Sequence, residues 1–237
     1  MSHGVEYIII MNTLQRTINL EVGGKPLTGR LVVPEGADAV VVFSAGTGSA
    51  HHAGLETGLA SLLHSKGVAT MLVELISLDD TDERAVRTDT ETLTDRLGAQ
   101  FEWIAHSDAT CEMSIALCGT GAGAAPALDY LIAGDHRVAG GAFVNGRLDH
   151  ARHPPTSIAS PVLFYLGDVD DHLEPQNRRA YVQAAVDDRH KQFFVDTDSG
   201  DVNVVSQWFT WLFTQQMARL GSAAVCDESE PPLKESE

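Results

Sequence analysis

A chain of 237 residues and 25.4 kDa is long enough to bury one substantial core, and its 43% hydrophobic content excludes wholesale disorder. Asp and Glu outnumber Lys and Arg 33 to 16, a formal net charge of −17 with no clustered basic stripe, which excludes a phosphate-tracking nucleic-acid binder. The bases are 12 Arg against 4 Lys, and this acid-rich, Lys-poor balance is like that of salt-adapted proteins, whose surface carboxylates maintain solubility in brine.

In chain order, residues 17–22 and 27–33 read as strands around the turn Gly23-Gly24-Lys25-Pro26. Residues 39–43 form a continuous apolar run, as a strand buried on both faces requires. Leu55, Leu59, Leu62 and Leu63 recur at helical spacing, and Gly67 stops that helix. A buried strand at 68–75 follows, then one long helix over 84–105 with Leu93, Leu97, Phe101 and Ile104 on one stripe. Residues 114–118 are a strand, 124–132 a helix, 138–144 a strand, 162–166 a strand, 178–186 a helix and 192–195 a short strand. An amphipathic helix over 204–220, with Trp208 and Trp211 as core packing, closes the series.

This alternation predicts one α/β domain over 15–220 with a mostly parallel sheet and helices on both faces, and the opening hairpin as an antiparallel edge. Residues 1–14 are expected to be an N-terminal extension, with Met11 an alternative start, and the acidic stretch 221–237 a disordered tail. Residues 149–160, with Pro154 and Pro155, form the longest expected loop. Cys111, Cys118 and Cys226 are odd in number, widely spaced and lack a CxxC pair, so reduced thiols and a cytoplasmic setting are expected. No apolar run approaches the roughly 18–20 residues of a membrane span, so no membrane association is expected.

The most informative stretch is Cys118-Gly119-Thr120-Gly121-Ala122-Gly123, between the strand at 114–118 and the helix at 124–132. Two chemistries use a glycine-rich strand-to-helix turn. One is the nucleophile elbow G-x-S-x-G, in which Gly119 and Gly123 are the outer glycines and Gly121 stands where the nucleophile belongs. The other is the dinucleotide loop G-x-G-x-x-G/A, matched by Gly119, Gly121 and Ala124, a weak match because no acid ends the following strand near Asn145.

Further segments share an order. Residues 31–37 (LVVPEGA) precede Phe43-Ser44-Ala45-Gly46-Thr47-Gly48-Ser49, a loop like H-G-S-G-S with Ala45 in place of His. Then come residues 67–75 (GVATMLVEL), the helix start at 123–128, the G-R-x-D loop Gly146-Arg147-Leu148-Asp149, and residues 162–170 (VLFYLGDVD). Over roughly residues 27–220 the chain resembles the dienelactone-hydrolase-like branch of the α/β-hydrolases. The resemblance implies a single-domain α/β-hydrolase fold with no large lid domain. It also implies an oxyanion pocket at Ala45, Gly46, Thr47 and Ala122.

Carried over in the order nucleophile, acid, histidine, the resemblance places the triad at Gly121, Asp170 and Gly200. Only the acid survives, since a glycine supplies neither an attacking atom nor a base. Thr120, beside the elbow, and His172, after Asp170 and Asp171, are the candidate substitutes, while Cys118 reads as a small apolar residue of the strand end. His51 and His52 read as surface residues. The carboxylate groups at 168, 170, 171 and 174 and at 79, 80, 82 and 83 read as solvated acidic loops, and no His/Asp/Glu spacing marks a metal site.

The favoured reading is a hydrolase frame without its triad, acting as a binding or scaffold module for a small carbonyl or anionic ligand, with no cofactor. The alternatives are an active ester, thioester or lactone hydrolase with substitute residues, and a nucleotide-binding α/β protein.

Overall fold

Continuous apolar runs build the middle of the sheet: β4 (Ala39–Ala45) and β8 (Val162–Gly167) are buried at every residue. The structure, a computed structural model, describes residues 7–10, 13–45, 50–134, 137–167, 172–196 and 202–226. The remaining strands are β1 (Tyr7–Ile10), β2 (Thr13–Val22), β3 (Lys25–Pro34), β5 (Ala69–Glu74), β6 (Ser114–Thr120), β7 (Val138–Val144) and β9 (Lys191–Asp196). They form one nine-stranded sheet in the order β1-β2-β3-β5-β4-β6-β7-β8-β9. β1, β2, β3 and β5 pair antiparallel in succession, and from β5 to β9 every pairing is parallel. The expected antiparallel edge is present. It begins earlier than the sequence suggests, because residues 7–10 pair with 13–16 within the stretch expected to be an extension.

Among the described residues there are six α-helices: α1 (Ala50–Ser65), α2 (Glu83–Thr88), α3 (Thr90–His106), α4 (Ala124–Ala133), α5 (Leu173–Gln183) and α6 (Asn203–Cys226). Leu59 and Leu63 of α1 and Val205, Trp208, Phe209 and Leu212 of α6 pack on one face of the sheet. Leu93, Leu97 and Phe101 of α3, Leu128 of α4 and Ala180 of α5 pack on the other. Trp208 is buried, which bears out the core role read for the terminal helix.

Three helix boundaries differ from expectation. The helix expected over 84–105 is two, because the Asp89 carboxylate accepts the Thr92 N–H at 3.1 Å and caps α3 just where α2 ends. The helix expected over 178–186 begins at Leu173, since Pro175 sits in the first turn, where no N–H partner is lost. The last helix runs to Cys226, six residues into the stretch expected to be tail, as the run Ala223-Ala224-Val225 carries it past Gly221.

β4 lies between β5 and β6, and the chain leaves the two neighbours in opposite directions: from β4 through α1 to one face, from β6 through α4 to the other. The carboxyl ends of β4 and β6 are therefore the switch point at which open α/β sheets place their ligand crevice.

Candidate functional site

Ala45 ends β4 at this switch point, with Thr120 of β6 in register on one side and Glu74 of β5 on the other. β6 runs into a short 3-10 turn, Gly121–Gly123, and then directly into α4. Gly121 has φ +50°, the left-handed conformation that a side chain adopts only under strain, so the strand-to-helix connection turns as sharply as the expected elbow requires. Gly119 is required for a different reason. A Cβ there would lie 2.8 Å from both Ala124 Cα and Ala127 Cβ, so only glycine lets α4 pack this close to β6. Gly119→Ala is expected to cost roughly 1–3 kcal/mol through overpacking, read as a lower denaturant midpoint at unchanged slope. A midpoint equal to wild type would show that α4 can shift at no cost.

The elbow is tied down on several sides. The Ser44 hydroxyl donates to the Gly123 carbonyl at 2.7 Å, and the Arg147 N–H donates to the Gly121 carbonyl at 2.9 Å. Asn145 directly follows β7 at φ +48°, and its side-chain carbonyl accepts the Gly167 N–H at 2.8 Å, so it joins the ends of β7 and β8. The Asn177 amide donates to the Gly146 carbonyl at 2.9 Å. The dipeptide Asn145-Gly146 is a turn signal legible in the sequence, although its joining role was not.

The candidate substitutes sit as follows. Thr120 is fully buried, and its hydroxyl donates to the carboxylate of Glu56 on α1. Burial pushes the Glu56 carboxyl above its usual range. The Thr120 hydrogen bond pulls it part of the way back, and the Glu74 charge adds to the rise. Cys118 is also fully buried. That burial, with the Glu56 charge beside it, drives its thiol well above the ordinary value, so it is held as the unreactive thiol. His172 is exposed just before α5, and its carbonyl accepts from the Gln176 amide at 3.2 Å. Ala45 is buried and Ala122 is half-buried. Asp170, Gly200, Gly46 and Thr47 lie outside the described residues, as do the side chains of His51 and His52.

Glu56 was missed by the sequence reading. It extends the buried stripe of Leu59 and Leu63 by one turn, so a carboxyl occupies a core position, and that spacing was the available signal. The acidic group at 79–83 needs correcting too. Asp80 is not solvated: it forms a buried bidentate pair with Arg96 at 2.7 and 2.9 Å, while Asp82 caps α2. Among the described residues no three His, Cys, Asp or Glu side chains converge as a metal site. A groove of about 410 Å³, lined in part by Thr156, Ile158, Pro161, Val186 and His190, lies at the opposite ends of the strands, just before β8 and β9. It takes no part in the elbow. No helix among the described residues is long and apolar enough to cross a membrane.

No family model matches the chain. Proteins from two strains of Mycobacterium tuberculosis that carry the name phosphoribosyl transferase are 33% identical to it over 165 residues, 69% of this chain and 37% of theirs. The chain thus spans little more than a third of the curated relatives it matches. Among solved structures, a dienelactone hydrolase from Anabaena variabilis superposes with a TM-score of 0.73 at 24% identity, over 86% of this chain and 98% of that one. A cold-adapted esterase from an Arctic intertidal metagenomic library gives 0.64 at 15% identity, over 84% and 91% of the two chains. An acetyl xylan esterase from Paenibacillus sp. R4 gives 0.63 at 14%, over 89% and 88%. Likeness at these identities shows a shared architecture.

Proposed function

Starting from the α/β-hydrolase fold that this chain has, we propose that it is a hydrolase frame without its Ser-His-Asp triad and acts as a binding or scaffold module. The observation that carries this reading is the apex of the elbow: a glycine at φ +50°, with no side chain to attack a substrate. The connection from β9 to α6, where the resemblance expects the histidine, runs Thr197-Asp198-Ser199-Gly200-Asp201-Val202 and contains none. The acid position, Asp170, would then be a remnant. α4 opens directly after this turn, and the main-chain N–H groups at the start of a helix favour a small carbonyl or anionic ligand. Two free cysteines, Cys111 and Cys118, agree with a reduced, cytoplasmic setting.

A second reading, a working ester, thioester or lactone hydrolase, is favoured by one observation. Thr120 donates to a carboxylate, the contact expected between a nucleophile and its base. Complete burial of both Thr120 and Cys118 weighs against it. The nucleotide-binding reading loses support because the glycine turn follows β6, not the first strand of the parallel unit. Phosphoribosyl transfer, named for the mycobacterial relatives, is not carried over, since the match covers 37% of those proteins.

Labelling with a fluorophosphonate and with iodoacetamide, read by intact mass and peptide mapping, tests the reading. Native protein is expected to give no fluorophosphonate adduct and no alkylation of Cys118. A stoichiometric adduct on Thr120 or Cys118 would overturn it in favour of the second reading.

A further inference from the structure

β9 (Lys191–Asp196) is the last strand of the sheet, and among the described residues β8 is its one partner strand. A strand at a sheet edge presents a row of main-chain N–H and C=O groups, which proteins commonly guard with charge, proline or a bulge. The middle of β9 is Phe193-Phe194-Val195, with neither charge nor proline. Phe194 stacks on Tyr165 of β8, ring centroids 6.0 Å apart, and is still 42% exposed. Phe193, by contrast, packs against Tyr181 of α5 and lies under the Arg178 guanidinium at 4.8 Å. Val182, which follows Tyr181 on α5, is 68% exposed. Of the four strongly exposed large apolar residues among the described residues, two therefore lie on β9 and on the helix packed against it.

The bonds to β8 fix which way the main chain of β9 faces. Val162 stands opposite Lys191, and its N–H donates to the His190 carbonyl at 2.9 Å. Main-chain groups alternate sides along a strand, so those of Gln192 and Phe194 point to β8, while those of Lys191, Phe193 and Val195 point outward. A second copy of β9, turned about a two-fold axis perpendicular to the sheet with Phe194 on that axis, matches this edge. Phe193 of each copy then stands opposite Val195 of the other, and the two exchange both main-chain bonds as a hydrogen-bonded antiparallel pair. Between them Phe194 meets Phe194 as the closer, non-hydrogen-bonded pair, so the exposed ring is covered by its own copy. Gln192 stands opposite Asp196, so no two like charges are opposed along the strand.

We propose that the chain forms a two-fold dimer by antiparallel pairing of β9 with β9 of a second copy, centred on Phe194. The interface is isologous, and the two nine-stranded sheets become one continuous sheet without a free β9 edge. Because the pairing is antiparallel, the carboxyl ends of the two sets of parallel strands, and the elbows with them, lie at opposite ends of the dimer. This inference concerns the sheet edge and stands whether or not the elbow binds a ligand.

Sedimentation equilibrium of the 237-residue chain between about 5 and 200 µM tests it, in about 0.5 M NaCl, which screens the −17 carried by each copy. The weight-average mass is expected to climb from 25.4 kDa toward twice that value. Phe194→Lys sets two cations together on the axis, and Val195→Pro deletes an outward N–H but none of the bonds to β8. Both variants are expected to stay at the monomer mass with an unchanged far-ultraviolet circular dichroism spectrum. The register is read by oxidative cross-linking in a Cys111→Ser/Cys226→Ser background. Phe194→Cys brings two thiols onto the axis at a Cα separation that a disulfide accepts, and is expected to give a reducible dimer. Gln192→Cys, on the same face of the strand, sets its two thiols roughly 13 Å apart and is expected to give none. A native chain that stays at the monomer mass throughout would overturn the proposal. So would a dimer that survives either edge substitution, or cross-linking of Gln192→Cys equal to that of Phe194→Cys.

Discussion

Replacing Arg96 by methionine is expected to cost the protein about 3–5 kcal/mol, which in a chain of this size lowers the melting temperature on the order of 10 °C. Arg96 and Asp80 are 4% and 3% exposed at their side chains. The guanidinium donates to both carboxylate oxygens, at 2.7 and 2.9 Å, and to the Leu75 carbonyl at 2.7 Å. The Ser77 N–H adds a third bond to the same carboxylate at 2.8 Å. Methionine fills most of the volume, so packing changes little. The cost is that Asp80 keeps its place with its counter-charge gone. Arg96 holds the Asp80 carboxyl below the usual carboxylate range, against the opposing effect of burial and with help from Ser77. The sign for a depressed carboxyl is fixed: its contribution is present above the ordinary value of 3.8 and is lost as pH falls through the folded value. In Arg96→Met the acid limb of the stability profile below pH 4 should therefore flatten. The double variant Arg96→Met/Asp80→Leu should recover most of the loss, because no charge is then stranded. Thermal melts by circular dichroism between pH 2 and 8 decide this. A loss below about 1 kcal/mol would mean that the pair is no more than a surface contact.

Asp129→Ala is expected to cost roughly 2–4 kcal/mol, and to loosen the 149–153 segment before the rest of the fold. Asp129 projects from α4 with its side chain 1% exposed. Its carboxylate accepts the Arg152 N–H at 3.0 Å, the His153 N–H at 2.9 Å and the His153 Nδ1 at 3.0 Å, with Arg152 Nε at 3.4 Å. Bonds to a charged acceptor exceed neutral ones, and alanine leaves two main-chain donors beneath the loop without a partner. Arg147, two residues before that segment, reaches the elbow through its N–H on the Gly121 carbonyl. Urea unfolding should show the lower stability, and limited proteolysis should cut first between residues 149 and 160. Wild-type proteolysis in that segment would show that the loop is held by something other than Asp129.

Most of the architecture is legible in the amino-acid order, for a physical reason. Parallel strands buried on both faces must be continuously apolar, so β4 and β8 stand out, and β7 falls on the residues expected. The glycines of the elbow are equally legible, because the close packing at Gly119 and the left-handed turn at Gly121 admit little else. Partnerships across the chain are not legible. Asp80 looks like one more acid in a run of acids, and only the fold brings Arg96 beneath it. Glu56 falls on the apolar stripe of α1, but its partner emerges only when α1 is laid against Thr120. Helix breaks made by a side-chain cap, as at Asp89, are also weak in sequence, because the apolar stripe continues on the far side. Asp170 and Gly200 rest on the order of motifs alone, as they lie outside the described residues.

The −17 net charge excluded a nucleic-acid partner and singled out no site. Four of the acids now have structural work: Asp80 and Asp129 in buried networks, Asp82 and Asp89 as helix caps. None of the four belongs to the triad positions.

Steady-state hydrolysis of p-nitrophenyl acetate and butyrate by the purified 237-residue chain, beside Thr120→Val and the double variant Gly121→Ser/Gly200→His, tests the loss of the triad most directly. The native protein and Thr120→Val are both expected to run at the uncatalysed background. Any gain belongs to the double variant, which returns an attacking oxygen and a base to the two positions that the resemblance assigns them. Saturable turnover by the native protein that Thr120→Val abolishes would contradict it.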